Sequence, residues 1–207
     1  MKVAMVAAGL PRFNSFFYDS INSIKGADSI DLYLYMWKEV DHFGNDSSIF
    51  KDGNLNFEEV YKNIPKNCTI KNLTITEEPI QKTYLPDKKY KQFYSLYMAY
   101  TSIKENYDCV IRFRVDARPD RDINLLHYDI NSGIFTPKIE YPQPINDMFA
   151  IGNQVNMSKY FETINYITQS DKNILYEKSQ EEIIYTNLIN NEININICDF
   201  RYNLVTR

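Results

Sequence analysis

The sequence predicts an α/β domain with a mixed, mostly parallel central sheet flanked by helices. Three observations carry this. Short apolar runs rich in β-branched residues alternate with segments of helical periodicity. The first run, residues 2–8 (KVAMVAA), is apolar almost throughout, as for a strand covered on both faces. A later run, residues 108–115 (DCVIRFRV), leads straight into a cluster of charge. Open α/β sheets collect their ligands at such strand ends. The 207 residues suffice for one well-buried core, and no repeat or linker divides them, so one domain over residues 1–207 is expected.

The elements follow in order. The turn Gly9-Leu10-Pro11-Arg12 breaks the first strand. Residues 13–24 place Phe13, Phe16, Phe17, Ile21 and Ile24 near helical spacing. Residues 30–37 (IDLYLYMW) read as a second strand, and the polar stretch 41–56 as a loop. A short helix over 57–64 precedes a third strand at 68–75, where polar and apolar residues alternate. After a charged, proline-containing loop at 77–89, residues 90–105 form the clearest helix, with Tyr90, Phe93, Tyr94, Tyr97, Met98 and Ile103 on one broad face. The charged strand comes next. Short strands are expected at 133–136 and 147–152, helices at 157–167 and 179–189, and a late alternating strand at 193–197. Glu181 and Glu182 open the last helix, where carboxylates suit the helix dipole.

Composition narrows the function classes. A net charge of −4 argues against nucleic-acid binding through a basic surface. The 17 tyrosines fit a carbohydrate-handling cleft, though the abundance of Asn, Ile, Lys and Tyr also fits AT-rich coding. Cys68, Cys109 and Cys198 show neither zinc spacing nor an even disulfide framework, which points to the cytosol. The apolar start is too short for a signal peptide or a span, so no transmembrane segment is expected.

Arg112, Arg114 and Asp116 alternate in strand register and so face one way. Three charges on one face of a central strand need a cleft or a network of ion pairs. An acid flanked by arginines suits a metal ion carrying a diphosphate. The Gly9–Arg12 turn lies between strand and helix, where backbone amides and an arginine favour phosphate. Asp147 follows Asn146 at the head of an apolar strand and, taken alone, reads as a turn-former. Trp37 ends the second strand and is placed either to stack on a base or to fill the core.

The order of these motifs resembles that of small, phage-type GT-A glycosyltransferases. The strand–GLPR–helix start, the helix before YDCVIRFRVD, NDMFAIG, EEIIYTNL and the terminal LVTR carry the resemblance over nearly the whole chain. It implies a Rossmann-like GT-A domain and transfer of a sugar from a nucleoside-diphosphate sugar to an acceptor hydroxyl. UDP-glucose or UDP-galactose is the expected donor, and a glycan or small molecule the acceptor. It implies a divalent metal, Mn2+ (or Mg2+), held by an Asp-x-Asp triplet. The matching triplet here is Arg114-Val115-Asp116, so Asp116 inherits the metal and arginine replaces the first acid. No histidine lies near the C-terminus to complete the site, which leaves Asp199 or water. The resemblance further implies that Ala8, Gly9, Arg12, Gln92, Ser95 and Arg114 face the nucleotide-sugar; Arg112, by strand register, and Trp37, by its place at a strand end, are expected beside them. Asp147 becomes the acceptor-side carboxylate and candidate general base, with Glu181 and Glu182 as alternatives. The expected setting is the cytoplasm of a bacterium or of a phage-infected cell.

Two other functions compete. The arginine in place of the first acid fits a non-catalytic nucleotide-sugar-binding module. A metal-dependent nucleotidyltransferase also joins such a sheet to metal-bound phosphates, and Ala7–Arg12 is a poor version of its glycine-rich loop.

Overall fold

The computed structural model describes all residues except 10–12, 14, 38–49, 52–53, 77–86, 138–144, 171–176 and 205–207. In chain order its strands are β1 (Lys2–Gly9), β2 (Ile24–Lys25), β3 (Ser29–Trp37), β4 (Phe50–Lys51), β5 (Asn54–Leu55), β6 (Cys68–Thr76), β7 (Cys109–Arg112), β8 (Ala117–Pro119), β9 (Ile123–Asn124), β10 (Ile134–Pro137), β11 (Ala150–Gly152), β12 (Ile195–Cys198) and β13 (Tyr202–Leu204). The helices are α1 (Ser15–Asn22), α2 (Phe57–Lys62), α3 (Asp87–Thr101), α4 (Gln154–Phe161), α5 (Thr163–Gln169) and α6 (Gln180–Asn190).

Seven strands form the central sheet in the order β12-β10-β11-β7-β1-β3-β6. β11 runs antiparallel to both β7 and β10, and the other pairings are parallel. The expected mixed, mostly parallel sheet is therefore present. Alternation along β1 explains the two layers over it. Val3, Met5 and Ala7 face Phe17 and Ile21 of α1 and Val60 of α2. Ala4 and Val6 face α3, α4, α5 and α6 through Phe93, Leu96, Tyr160, Ile164 and Ile184. Burial on both faces is why β1 carries no polar side chain between Val3 and Ala7.

Several boundaries differ from the sequence reading, each for a local reason. The charged strand was expected over 108–115, but β7 stops at Arg112. The Phe113 amide still bonds to the Val6 carbonyl at 3.1 Å, and the chain then turns at Val115 and Asp116. The helix expected over 157–167 is two helices, α4 and α5, broken at Glu162. Asn153 caps α4 by accepting the Asn156 amide at 2.8 Å, which starts the helix earlier than its apolar residues do. The expected loop at 41–56 contains the β4–β5 hairpin, and its residues 41–49 and 52–53 lie outside the described residues. The β8–β13 pair, joining Tyr202 to Pro119, was not read from sequence.

Strand order reverses between β1 and β7: β3 and β6 lie to one side of β1, β7 to the other. Such a switch point opens a crevice at the carboxyl ends of the two strands. Here those ends are Gly9 and Arg112. α3 runs back along the sheet, which lays its first half over the same end.

Candidate active site

Gly9 ends β1 with φ of +130°, a backbone conformation that side-chain-bearing residues rarely adopt. Among the described residues nothing lies within 4 Å of where its Cβ would stand. Ala8 and Gly9 are half-buried and align with Tyr35 and Met36 of β3. Arg12 lies outside the described residues.

The two arginines behave differently. Arg112 is 1% exposed, between Val6 of β1 and Ala150 of β11. One guanidinium N–H donates to the Phe113 carbonyl. Its buried Nε has no hydrogen-bond partner among the described residues. Burial pulls the Arg112 pKa down, opposed by the nearby Tyr160 hydroxyl and Asp147 carboxylate. Arg114 is half-buried and grips Asp116 with a fork, Nε to Oδ1 at 2.8 Å and Nη2 to Oδ2 at 3.0 Å. Burial, the largest single influence, weakens its charge, but the bonds to Asp116 and the fields of Asp116 and Asp147 reverse this and raise the pKa. The pairing reflects the turn: once β7 ends at Arg112, residues two apart converge on each other.

Asp147 is 7% exposed and is reached from three elements. Gln92 of α3 donates to its Oδ2 at 2.9 Å. Gln180, the first residue of α6, donates to Gln92 Oε1 at 2.8 Å. Tyr160 of α4 donates to the Asp147 carbonyl at 3.3 Å. The preceding Asn146 accepts the Met148 amide at 2.7 Å, an Asx turn that fixes the backbone here. Burial pushes the Tyr160 and Tyr202 hydroxyls well up, so both stay protonated donors.

The other expected residues divide. Ser95, fully buried on α3, accepts from Trp37 Nε1 at 2.7 Å, which orients the half-buried indole at the end of β3. Glu181 lies close enough to act on the Tyr160 hydroxyl. Glu182 is engaged in a capping box with Ser179, the ordinary structural role weighed for it above. Asp199 is 80% exposed and stands 3.7 Å from Arg121. Gln180 and Tyr160 were missed by sequence reading. A polar residue opening a helix and a tyrosine within an apolar face carry no motif.

Metal ions at phosphate-handling sites are commonly held by one or two carboxylates, with the substrate phosphates completing the shell. Asp116, at the end of the charged segment beside Arg114, fits the role of such a single carboxylate. Among the described residues no group of three His, Cys, Asp or Glu is arranged to hold a metal by itself. The remaining ligands would come from phosphate and water.

Much of each connection leaving the carboxyl ends of β1, β3, β6 and β10 lies outside the described residues. The grooves that are described lie elsewhere. One of about 680 Å³ is bordered by Tyr100, Asn106, Tyr107, Asn153 and Gln154, and another of about 520 Å³ by Asp19, Lys25, Arg118 and Arg121. No helix among the described residues is long and apolar enough to cross a membrane. No family model and no curated protein sequence matches this chain.

Taken together, the class defined by fold and site is an α/β protein with a polar, charge-rich cluster at the switch point of its sheet. Two arginines, two aspartates and an amide relay converge there.

Proposed function

We propose that this chain is a glycosyltransferase with a Rossmann-like GT-A domain, moving a sugar from a nucleoside-diphosphate sugar to an acceptor hydroxyl. A UDP-hexose, UDP-glucose or UDP-galactose, is the donor in this reading. The observation that carries it is the convergence of Arg112, Arg114, Asp116 and Asp147 at the carboxyl ends of β1 and β7. Sequence order alone did not require Asp147 to join the arginines.

The chemistry follows from charge. As the sugar–phosphate bond breaks, negative charge grows on the diphosphate, and donors aimed there lower the barrier. Arg114 supplies a fork that suits phosphate as well as carboxylate. Arg112 adds positive charge from beneath, out of water, where it is least screened. A divalent ion bound through Asp116 would add further positive charge against the diphosphate. Asp147 serves as general base, taking the proton of the acceptor hydroxyl as that oxygen attacks the anomeric carbon. Gln92 occupies Oδ2 and thereby directs the carboxylate, while Gln180 holds Gln92. The Trp37 ring, oriented by Ser95, offers a face to the base or sugar.

A panel of nucleotide-sugars with Mn2+, scored for thermal stabilisation and nucleotide release, tests this. UDP release from UDP-glucose or UDP-galactose is the expected result. A ligand at a hundred times its dissociation constant stabilises by about 2.7 kcal/mol. Pyrophosphate release from a nucleoside triphosphate would favour nucleotidyl transfer instead. Stabilisation with no release, whatever acceptor is offered, would favour a binding module.

A further inference from the structure

We infer that Tyr202 is a positioning residue shared by the two halves of the site: its hydroxyl sets Arg114, which meets the diphosphate, and its ring sets Asp147, which meets the acceptor. This rests on the transferase reading above and adds to it a residue that touches neither substrate.

Arg114 and Asp147 both stand on backbone outside the ladders of the sheet. β7 ends at Arg112 and β8 begins at Ala117, so residues 113–116 form a turn between strands. β11 begins at Ala150, beyond Asp147. A side chain carried on such a turn points where its backbone is pinned. A shift of about 1 Å at a reacting group can cost about 10²-fold in rate.

Tyr202 pins both turns. It is 4% exposed, and β13 pairs with β8 so that Tyr202 aligns with Pro119. Its hydroxyl donates to the Arg114 carbonyl at 3.2 Å. The same oxygen stands 3.1 Å from Ser20 Oγ, which donates to the Ala117 carbonyl at 2.7 Å. The carbonyls at the two ends of the Arg114–Ala117 turn thus hang from one buried pair of hydroxyls. Burial keeps the Tyr202 hydroxyl protonated and so a donor. The ring serves the other half. It lies 4.8 Å from the Phe149 ring, tilted by 38°. Phe149 is fully buried and leads into β11, and Phe200 meets its ring edge-on at 5.4 Å. The Asx turn at Asn146 holds one end of the segment that bears Asp147, and Phe149 holds the other. Donor-side and acceptor-side turns are therefore joined through one side chain, with the hydroxyl on one and the ring on the other.

Hydroxyl and ring can be removed separately, which gives the test. Tyr202→Phe takes the hydroxyl alone, and Tyr202→Leu takes both. Phe149→Leu takes the ring contact and leaves the hydroxyl. Each variant is checked for a cooperative melt and assayed well below its melting temperature, with Mn2+ present. UDP affinity is measured by calorimetry, and turnover at saturating donor by UDP release from UDP-glucose or UDP-galactose, whichever wild type uses. Tyr202→Phe should weaken UDP binding about three- to tenfold, the factor one neutral hydrogen bond is worth, and turnover should fall by no more than that. Tyr202→Leu should weaken UDP binding to the same extent and lower turnover at least about tenfold further. Phe149→Leu should keep wild-type UDP affinity and lose turnover. If one leucine variant does not fold, the other decides the part of the ring; if neither folds, the near-isosteric Tyr202→Phe decides on its own. Wild-type UDP affinity in Tyr202→Phe, with only a lower melting temperature, overturns the inference. Equal loss of affinity and turnover in all three variants overturns it as well. Either result leaves the transferase reading standing. If wild type binds none of UDP, GDP and ADP and turns over neither sugar nucleotide, that reading fails and the inference with it.

Discussion

The two ends of the central sheet use the same residue types to opposite effect. At the amino end, Asp31 of β3 is 6% exposed, accepts the Tyr107 hydroxyl at 2.8 Å and has Lys71 at 3.9 Å. Tyr33 closes the group through a 2.8 Å bond to Tyr107. At the carboxyl end, Asp147 is 7% exposed and stands beside Tyr160, with a buried arginine nearby. The amino-end groups are satisfied by one another. The carboxyl end keeps an Arg112 Nε with no partner among the described residues, and a fork–carboxylate pair that phosphate can compete for. A closed network of buried polar groups serves stability, whereas donors left over point to a ligand.

Exchanging the charge of each aspartate is the sharpest way to break this contrast. The largest effect is expected for Asp147→Asn. The side chain is nearly isosteric and can still accept from Gln92, but it cannot take a proton. Transfer should fall by about 10²–10⁴-fold, the usual contribution of a positioned base. UDP affinity should hold, and the melting temperature should drop because Arg112 loses its nearby anion. Full turnover in this variant would end the assignment and move the search for a base to Glu181, which also faces Tyr160.

Asp31→Asn is the matching change at the amino end. It should cost about 1.5–3 kcal/mol of stability, the range for a hydrogen bond to a charged group. Turnover and UDP affinity should match wild type when measured well below the melting temperature. A loss of turnover without loss of stability would show that the two ends are not functionally distinct. Tyr107→Phe, removing one hydroxyl from the same group, should cost about 1 kcal/mol by chemical denaturation. A larger loss would mean that the Tyr33 hydroxyl and Asp31 cannot re-pair.

The contrast was only half legible in the sequence. β1, β3, β6 and α3 could be read because their apolar spacing is long and regular, and the charged end of β7 because arginines after a β-branched run are conspicuous. The partners of those charges could not be read. Strand alternation placed Arg112, Arg114 and Asp116 on one face, but the strand ends at Arg112 and the turn pairs Arg114 with Asp116 instead. Asp147 meets Gln92 across 55 positions and Gln180 meets Gln92 across 88, distances over which no local pattern speaks. Asp31 shows the same blindness from the other side. An acid inside an apolar strand looks as functional as Asp147 until Tyr107 is seen to satisfy it.

The smallest effect is expected at the rim of the amino end, where Glu105 bridges Lys2 at 2.5 Å and Lys71 at 3.2 Å. These bonds, Lys2 first and then Lys71, hold the Glu105 carboxyl below its usual range. A depressed carboxylate pKa contributes stability above the unfolded-state value, near 4.5, and loses it as pH falls through the lower folded-state value. Glu105→Gln should therefore melt slightly below wild type at neutral pH. The two curves should converge as the pH is taken down past that range. The gap at neutral pH should also close in high salt, because the group is exposed and screened. The same titration on Asp31→Asn should leave its salt response nearly flat, since its main partner is a buried, uncharged hydroxyl. If Glu105→Gln instead cost as much as Asp31→Asn, the rim would belong to the closed network, and the boundary between surface charge and buried group would have to be redrawn at Lys71.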